Sequence, residues 1–340
     1  MSEVSERKLI IPEGYRNPLD IIETQSAISF IKRRFETLLA EALGLRRVSA
    51  PMFVRPETGL NDDLNGTERA VMFDVPDAGF DVQVVHSLAK WKRFTLAEYG
   101  FKPSEGLYTD MNAIRRDELL DNLHSIYVDQ WDWEKIITRP QRTREYLEAV
   151  VRRIVECLCA TARAVSYRYP ELDSFINQDV YFVTSQELCD RWPDKTPHER
   201  EDAICREKGT VFIIGIGGKL SDGKPHDGRA PDYDDWSLNG DILIWYPVLG
   251  RSVELSSMGI RVDEDALRRQ LQLSGCEYRS GLMFHRMLLS GQLPLTIGGG
   301  IGQSRMCMVM LHKAHIGEVQ AAVWPDEEVE LCRKNGIELL

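Results

Sequence analysis

The chain has 340 residues, 43% of them hydrophobic, enough material for a sizeable core in one large or two modest domains. Its 42 basic and 53 acidic side chains leave a formal net charge of −11, the reverse of the basic excess that usually accompanies a grip on a nucleic-acid backbone. No run approaches the roughly 20 apolar residues of a membrane span. The charged start "MSEVSERKLIIPEGYR" is unlike a signal peptide, and the seven scattered cysteines read as reduced thiols of a cytoplasmic protein.

In chain order, the polar start over residues 1–20 reads as an amino-terminal arm. From Thr24 to Leu43 the apolar residues Ile28, Ile31, Phe35, Leu38, Leu39 and Ala42 keep helical spacing, and Gly44 suits a left-handed stop. "LRRVSAP" reads as a short strand closed by Pro51. "FDVQVVHS" is a further strand, with Ser87 placed to cap a helix that begins "LAKWKRFTLAEYG" and ends at Gly100. Arg115 ends the next strand; a charged loop follows, and a second strand starts near Leu123. A long helix is predicted from Pro140, a natural first-turn residue, with Leu147, Val150, Val151, Ile154, Leu158 and Val165 on one side. Cys157 and Cys159 point in different directions on that helix and make no metal knuckle. Thr196 and Glu199 form a capping box, and Gly209 closes that helix before the strand "TVFIIG". "LNGDILIWYPVLGRSVELSSMGIRV" reads as a strand pair, and "LTIGGGIGQSRMCM" as a strand running into a helix. With no repeat, linker or composition break, the order predicts an α+β domain over 21–340 built around one mainly antiparallel sheet flanked by helices.

Two glycine clusters test phosphate-loop readings. "IIGIGGKLSDGK" holds Ile213 and Leu220 where a P-loop needs glycine and a hydroxyl residue, and Gln303 occupies the last glycine position of GxGxxG in "GGGIGQSR". Both readings fail. Glycines at a strand end still let backbone approach a flat ligand. Arg305, in the first turn of the following helix, opposes the helix dipole unless an anion or π-face lies near it. The same residues also suit a tight sheet–helix junction with a solvated arginine. On the strand after Leu123, alternation puts Gln130 and Asp132 side by side, a pair suited to a substrate ammonium or amide; taken alone it reads as an edge strand with one solvated face. Asp241 and Glu254 fall on neighbouring strands and could share Mg²⁺ with phosphate oxygens. "LAKWKR" loads a helix start with cations, which is disfavoured without a nearby anion.

Together these parts resemble the three motifs of class II aminoacyl-tRNA synthetases: helix, strand and Pro51; then Arg115, loop and antiparallel strand; then "GGGIGQSR" and its helix. More specifically, "VVHSLAKWKR", "EGLYTDM", "YVDQWDWE", "GIGGKLSDG", "RAPDYDDW", "LNGDIL" and "ELSSMGIRVD" resemble ammonia-dependent asparagine synthetase (aspartate–ammonia ligase), over nearly the whole chain. The resemblance implies a cytoplasmic homodimer that amidates L-aspartate with ammonia through β-aspartyl-AMP, using ATP and Mg²⁺ and releasing AMP and diphosphate. It implies that Arg115 holds the α-phosphate, that Arg305 stacks on adenine beside Gly298 and Gly299, and that Asp241 and Glu254 bind Mg²⁺. It implies further that Asp62, Ser87, Lys92, Gln130, Asp132 and Arg261 form the aspartate and ammonia pocket, with Arg229, Asp234 and Ser257 at the same site. Adenylation suits the chemistry, because it turns a carboxylate oxygen into part of a good leaving group and needs mainly fixed positive charge and placement. The start Met1-Ser2-Glu3 and the absence of an activated Cys–His setting imply free ammonia as the nitrogen donor, and the chain has no room for an anticodon-binding domain, so no tRNA partner is expected.

Overall fold

A computed structural model of the chain describes residues 9–62, 64 and 68–340. The first eight residues of the predicted arm, and Asp63, Asn65 and Gly66 beside Asp62, lie outside the described residues. The helix predicted from Thr24 starts three residues earlier, as α1 (Ile21–Leu43), because Asp20 and Glu23 form a reciprocal capping box; it stops at Gly44 with φ +69°. β1 (Leu45–Arg47), β2 (Phe53–Val54), β3 (Met72–Val75) and β4 (Phe80–Val84) follow, then α2 (Ala89–Glu98). The predicted cap of α2 shifts by one residue: Leu88 stands at the cap, while the Ser87 hydroxyl still accepts the Ala89 amide at 3.3 Å and donates to the Asp62 carboxylate.

β5 (Gly106–Ile114) ends just before Arg115, and β6 (Tyr127–Ile136) begins later than predicted, because residues 115–126 form the connecting loop. The long helix α3 (Arg144–Arg168) starts not at Pro140, which lies in a separate 3₁₀ turn, but after Thr143, whose hydroxyl accepts from the Tyr146 amide. β7 (Tyr181–Thr184), α4 (Ser185–Arg191), α5 (Pro197–Lys208) with its Thr196–Glu199 capping box, and β8 (Thr210–Ile214) come next. β9 (Asp234–Tyr246) and β10 (Arg251–Arg261) make a hairpin, followed by α6 (Glu264–Leu273), α7 (Met283–Leu289), β11 (Thr296–Gly302), α8 (Gln303–Met310) and α9 (Asp326–Lys334).

Eight strands form the main sheet in the order β1-β5-β6-β11-β10-β9-β8-β7, antiparallel throughout except for the outer pairs β1–β5 and β7–β8. The edge-strand reading of "YVDQWDWE" is corrected here: β6 lies inside the sheet, between β5 and β11. β2, β4 and β3 form a separate three-stranded sheet. One face of the main sheet is the core. Trp131 and Trp133 of β6 point there, fully buried under α1, with the Phe35 and Trp131 ring centroids 5.0 Å apart. Ile154 and Leu158 of α3 and Ile242, Ile244, Met258 and Ile297 of the sheet complete this layer. Truncation of so buried an aromatic side chain, as in Phe35→Ala, is expected to cost ~3–5 kcal/mol. The other face is where α2 crosses β6 and β11, and it carries the polar side chains.

Candidate active site

A cavity of about 530 Å³ opens on that polar face. Strand alternation fills its inner end. Gln130 and Asp132 stand on β6 opposite Gly302 and Gly300 of β11, and Glu134 stands opposite Gly298. These glycines leave the space that the β6 side chains occupy. A β-carbon on Gly298 would collide with the Glu134 carboxylate, and one on Gly300 with the Gln130 amide and the Asp132 carboxylate.

α2 lowers Lys92 into the same place. Its ammonium sits 3.0 Å from Asp132 Oδ2 and 3.9 Å from Glu134 Oε2, and donates to the Gly299 carbonyl at 2.9 Å. Burial pushes this ammonium below its ordinary pKa, while Asp132 pulls the other way. Glu134 is fully buried between Lys92 and Arg261, which donates to it from Nη2 at 2.8 Å and from Nε at 3.0 Å. Burial works against the Glu134 charge, but Arg261 outweighs it and holds the carboxyl below its usual range. Arg261 also donates from Nη1 to Asp234. The inner end is thus a closed network of two cations and three carboxylates.

Beside it, Arg229 grips Asp241 with Nη2 at 2.7 and 2.9 Å from the two carboxylate oxygens, and also donates to Ser257. Burial raises the Asp241 carboxyl to about 7, Glu254 adds in the same direction, and Arg229 opposes both. Asp241 and Glu254 stand on neighbouring strands as hard oxygen donors, the donor type that suits a small divalent cation completing its shell with phosphate and water. Among the described residues no cluster of three or more metal-ligating side chains occurs, so such an ion would depend on the ligand for the rest.

The outer end is looser. Among the described residues Arg115 comes no nearer to an acid than 4.0 Å, at Glu118, and its Nε has no hydrogen-bond partner there. Arg305 donates to the Glu254 and Leu123 carbonyls at 3.0 and 3.5 Å, and lies 3.8 Å from Glu254 Oε2. Of the sequence-predicted site residues, Ser87, Lys92, Gln130, Asp132, Asp234 and Arg261 line the inner half. Arg115, Arg229, Glu254, Ser257, Gly299 and Arg305 line the rest. Asp62 is buried behind Ser87, Asp241 behind Arg229, and Gly298 over Glu134. Sequence reasoning passed over Glu134, although the alternation that picked out Gln130 and Asp132 reaches it at the next step. A larger groove of about 730 Å³ along α1, lined by Arg33, Arg34 and Arg168, holds no carboxylate or thiol and has no comparable chemistry.

The fold defines the class. The chain superposes on asparaginyl-tRNA synthetase from Pyrococcus horikoshii, solved with asparaginyl-adenylate, with a TM-score of 0.62 at 17% identity, covering 89% of this chain and 70% of that one. Aspartyl-tRNA synthetase from Entamoeba histolytica gives 0.58 at 15%, covering 88% and 57%. This is the class II synthetase-like α+β fold expected from the sequence. The aspartate–ammonia ligase family model matches residues 22–336. Proteins named aspartate–ammonia ligase from Ruminiclostridium cellulolyticum and Clostridium perfringens are 59% and 58% identical, each covering 98% of this chain and 99% of its relative. The chain belongs to the aspartate–ammonia ligase family, and the expectation of a ligase of asparagine biosynthesis is borne out.

Proposed function

We propose that this cavity condenses L-aspartate with ammonia at the expense of ATP, through a β-aspartyl adenylate. The observation that carries the reading is the charge layout: two arginines at the outer end that, among the described residues, stand 4.0 and 3.8 Å from their nearest carboxylates, a closed ion network at the inner end, and the Asp241–Glu254 pair between. The β-carboxylate oxygen attacks the α-phosphorus, and the bond to the bridging oxygen of the β-phosphate breaks, releasing diphosphate. Arg115 and Arg305 sit where they can neutralise the phosphates, so the charge that builds up meets fixed donors. Asp241 and Glu254 would hold Mg²⁺, which supplies further positive charge on the phosphate oxygens. Ammonia then attacks the acyl carbon and AMP departs with the former carboxylate oxygen. One proton leaves the new amide nitrogen, with Asp132 a carboxylate that lines the pocket and Asp62 one step behind it, through the Ser87 hydroxyl. Lys92, held by Asp132 and Gly299, and Gln130 orient the aspartate.

In this reading the chain works as a cytoplasmic homodimer, each copy one catalytic unit over 21–340 with a short arm over 1–20. The described part of that arm is tied to the body: the Ile10 amide and carbonyl both bond the Asn122 side chain at 2.8 Å. No helix of the described residues is long and apolar enough to cross a membrane. The testing experiment is isotope exchange. Labelled pyrophosphate should enter ATP with aspartate and Mg²⁺ present and ammonia absent, and exchange should stop without aspartate. Ammonium should then give asparagine and AMP, glutamine should not replace it, and tRNA should stay uncharged. ADP as product would mean an acyl-phosphate route and would overturn the proposal.

A further inference from the structure

Arg305 occupies an awkward place, the first turn of α8, where the helix dipole repels a cation and the cap residue, Gly302, has no side chain to satisfy the free amides. The missing cap comes from another strand. Asp129 Oδ1, on β6, accepts the Ser304 amide at 3.0 Å. The Gln320 amide group reaches the same oxygen at 3.4 Å and the Ser304 hydroxyl at 3.1 Å. The other oxygen, Oδ2, takes the Lys32 ammonium of α1 at 2.9 Å. Asp129 is 6% exposed, so this is a shielded charge rather than a solvated one. One residue earlier in the helix, Gln303 donates to Asp110 Oδ1 of β5 at 3.1 Å. The first turn of α8 is therefore pinned by a carboxylate from each of two neighbouring strands, and Arg305 is the next side chain out.

We infer that Asp129, held in place by Lys32, is a positioning residue that aims Arg305 at the nucleotide. Asp129 does three things at once: it caps α8, it puts a negative charge at the positive end of that helix's dipole, and it joins α1 to the turn that carries Arg305. The inference rests on the proposed ATP role of Arg305, and deepens it by naming what holds that arginine in aim. It also accounts for a carboxylate on the core side of β6, away from the face that carries Gln130 and Asp132.

The test is a double-mutant cycle read through steady-state constants. Asp129→Ala should raise the KM for ATP about tenfold, the scale of a lost helix cap with a charged acceptor, and leave the KM for aspartate within about twofold. In an Arg305→Ala background the same change should add less than about twofold, because its effect passes through that arginine. Lys32→Met, which keeps the cap but frees the carboxylate, should move the KM for ATP the same way by a smaller factor, and serves if Asp129→Ala does not fold. Additive effects of Asp129→Ala and Arg305→Ala, or equal rises in both KM values, would overturn the inference. An Arg305→Ala enzyme with an unchanged KM for ATP would instead strike at the proposed site itself.

Discussion

The two ends of the cavity are built in opposite ways. At the inner end every charge is answered within the protein: Lys92 lies 3.0 Å from Asp132, and Arg261 lies 2.8 Å from Glu134 and is also bonded to Asp234. At the outer end, among the described residues, Arg115 reaches an acid only at 4.0 Å, and Arg305 leans on backbone carbonyls with its nearest carboxylate 3.8 Å away. A network closed on itself is rigid and suits the placing of a small substrate whose own charges nearly balance. Cations held only loosely by their neighbours suit a ligand that brings its own negative charge, because much of their field is then available to phosphate rather than spent on a neighbouring carboxylate.

Breaking the closed end should hurt the fold first. Arg261→Met leaves Glu134 and Asp234 buried without their cation, and should cost ~3–5 kcal/mol in denaturant unfolding as well as activity. A variant of wild-type stability would show that the inner network is not a closed one. At the open end the balance reverses. Arg115→Ala should lower turnover by roughly 10²–10³-fold, the scale of one lost transition-state charge contact, with the melting temperature unchanged. A drop in stability in step with the rate would erase the distinction between the two ends.

The glycines of β11 sharpen the same contrast at finer scale. Gly300→Ala should push Gln130 and Asp132 aside and lower kcat/KM for aspartate by about tenfold or more. Gly302→Ala meets only the Arg305 β-carbon, at 3.3 Å, and should do much less in the same assay. The smallest effect belongs to the rim. There Glu201 is bonded by His198 and His226, each at 3.0 Å. Burial works against the Glu201 charge, but the two histidines outweigh it and hold its carboxyl down at about 2. Its folded pKa lies below the ordinary value, so its stabilisation is present above about pH 4.5 and is lost as pH falls towards 2. Stability measured against pH should lose part of its acid-side slope in Glu201→Gln, and an unchanged slope would show that the rim pair carries no such linkage.

Much of this was legible along the chain. Period-two alternation put Gln130 and Asp132 on one face of β6 and Trp131 and Trp133 on the other, and the helix with its Gly44 stop was plain from apolar spacing. The clustering of cations at the start of α2 called for a nearby anion, and Asp132 supplies it. Ser87 was only half read, because its hydroxyl accepts the Ala89 amide at the start of α2 and also donates to the distant Asp62 carboxylate, and local sequence describes only the first. The second strand was misread as an edge because nothing within it records which strands will pair on either side.

By itself, then, the sequence determined what local geometry can carry: the helices and their stops, the faces of the strands, the glycines beside a strand end, and the motif strings of the family. Only the tertiary structure decided which charges meet. Lys92 bonds a carbonyl 207 residues away, Arg261 a carboxylate 127 residues away, and the cap of the Arg305 helix comes from 175 residues upstream. Such pairings depend on strand order and register, which arise when the whole sheet buries its apolar face at once. A buried charge then stays where the fold also delivers its partner.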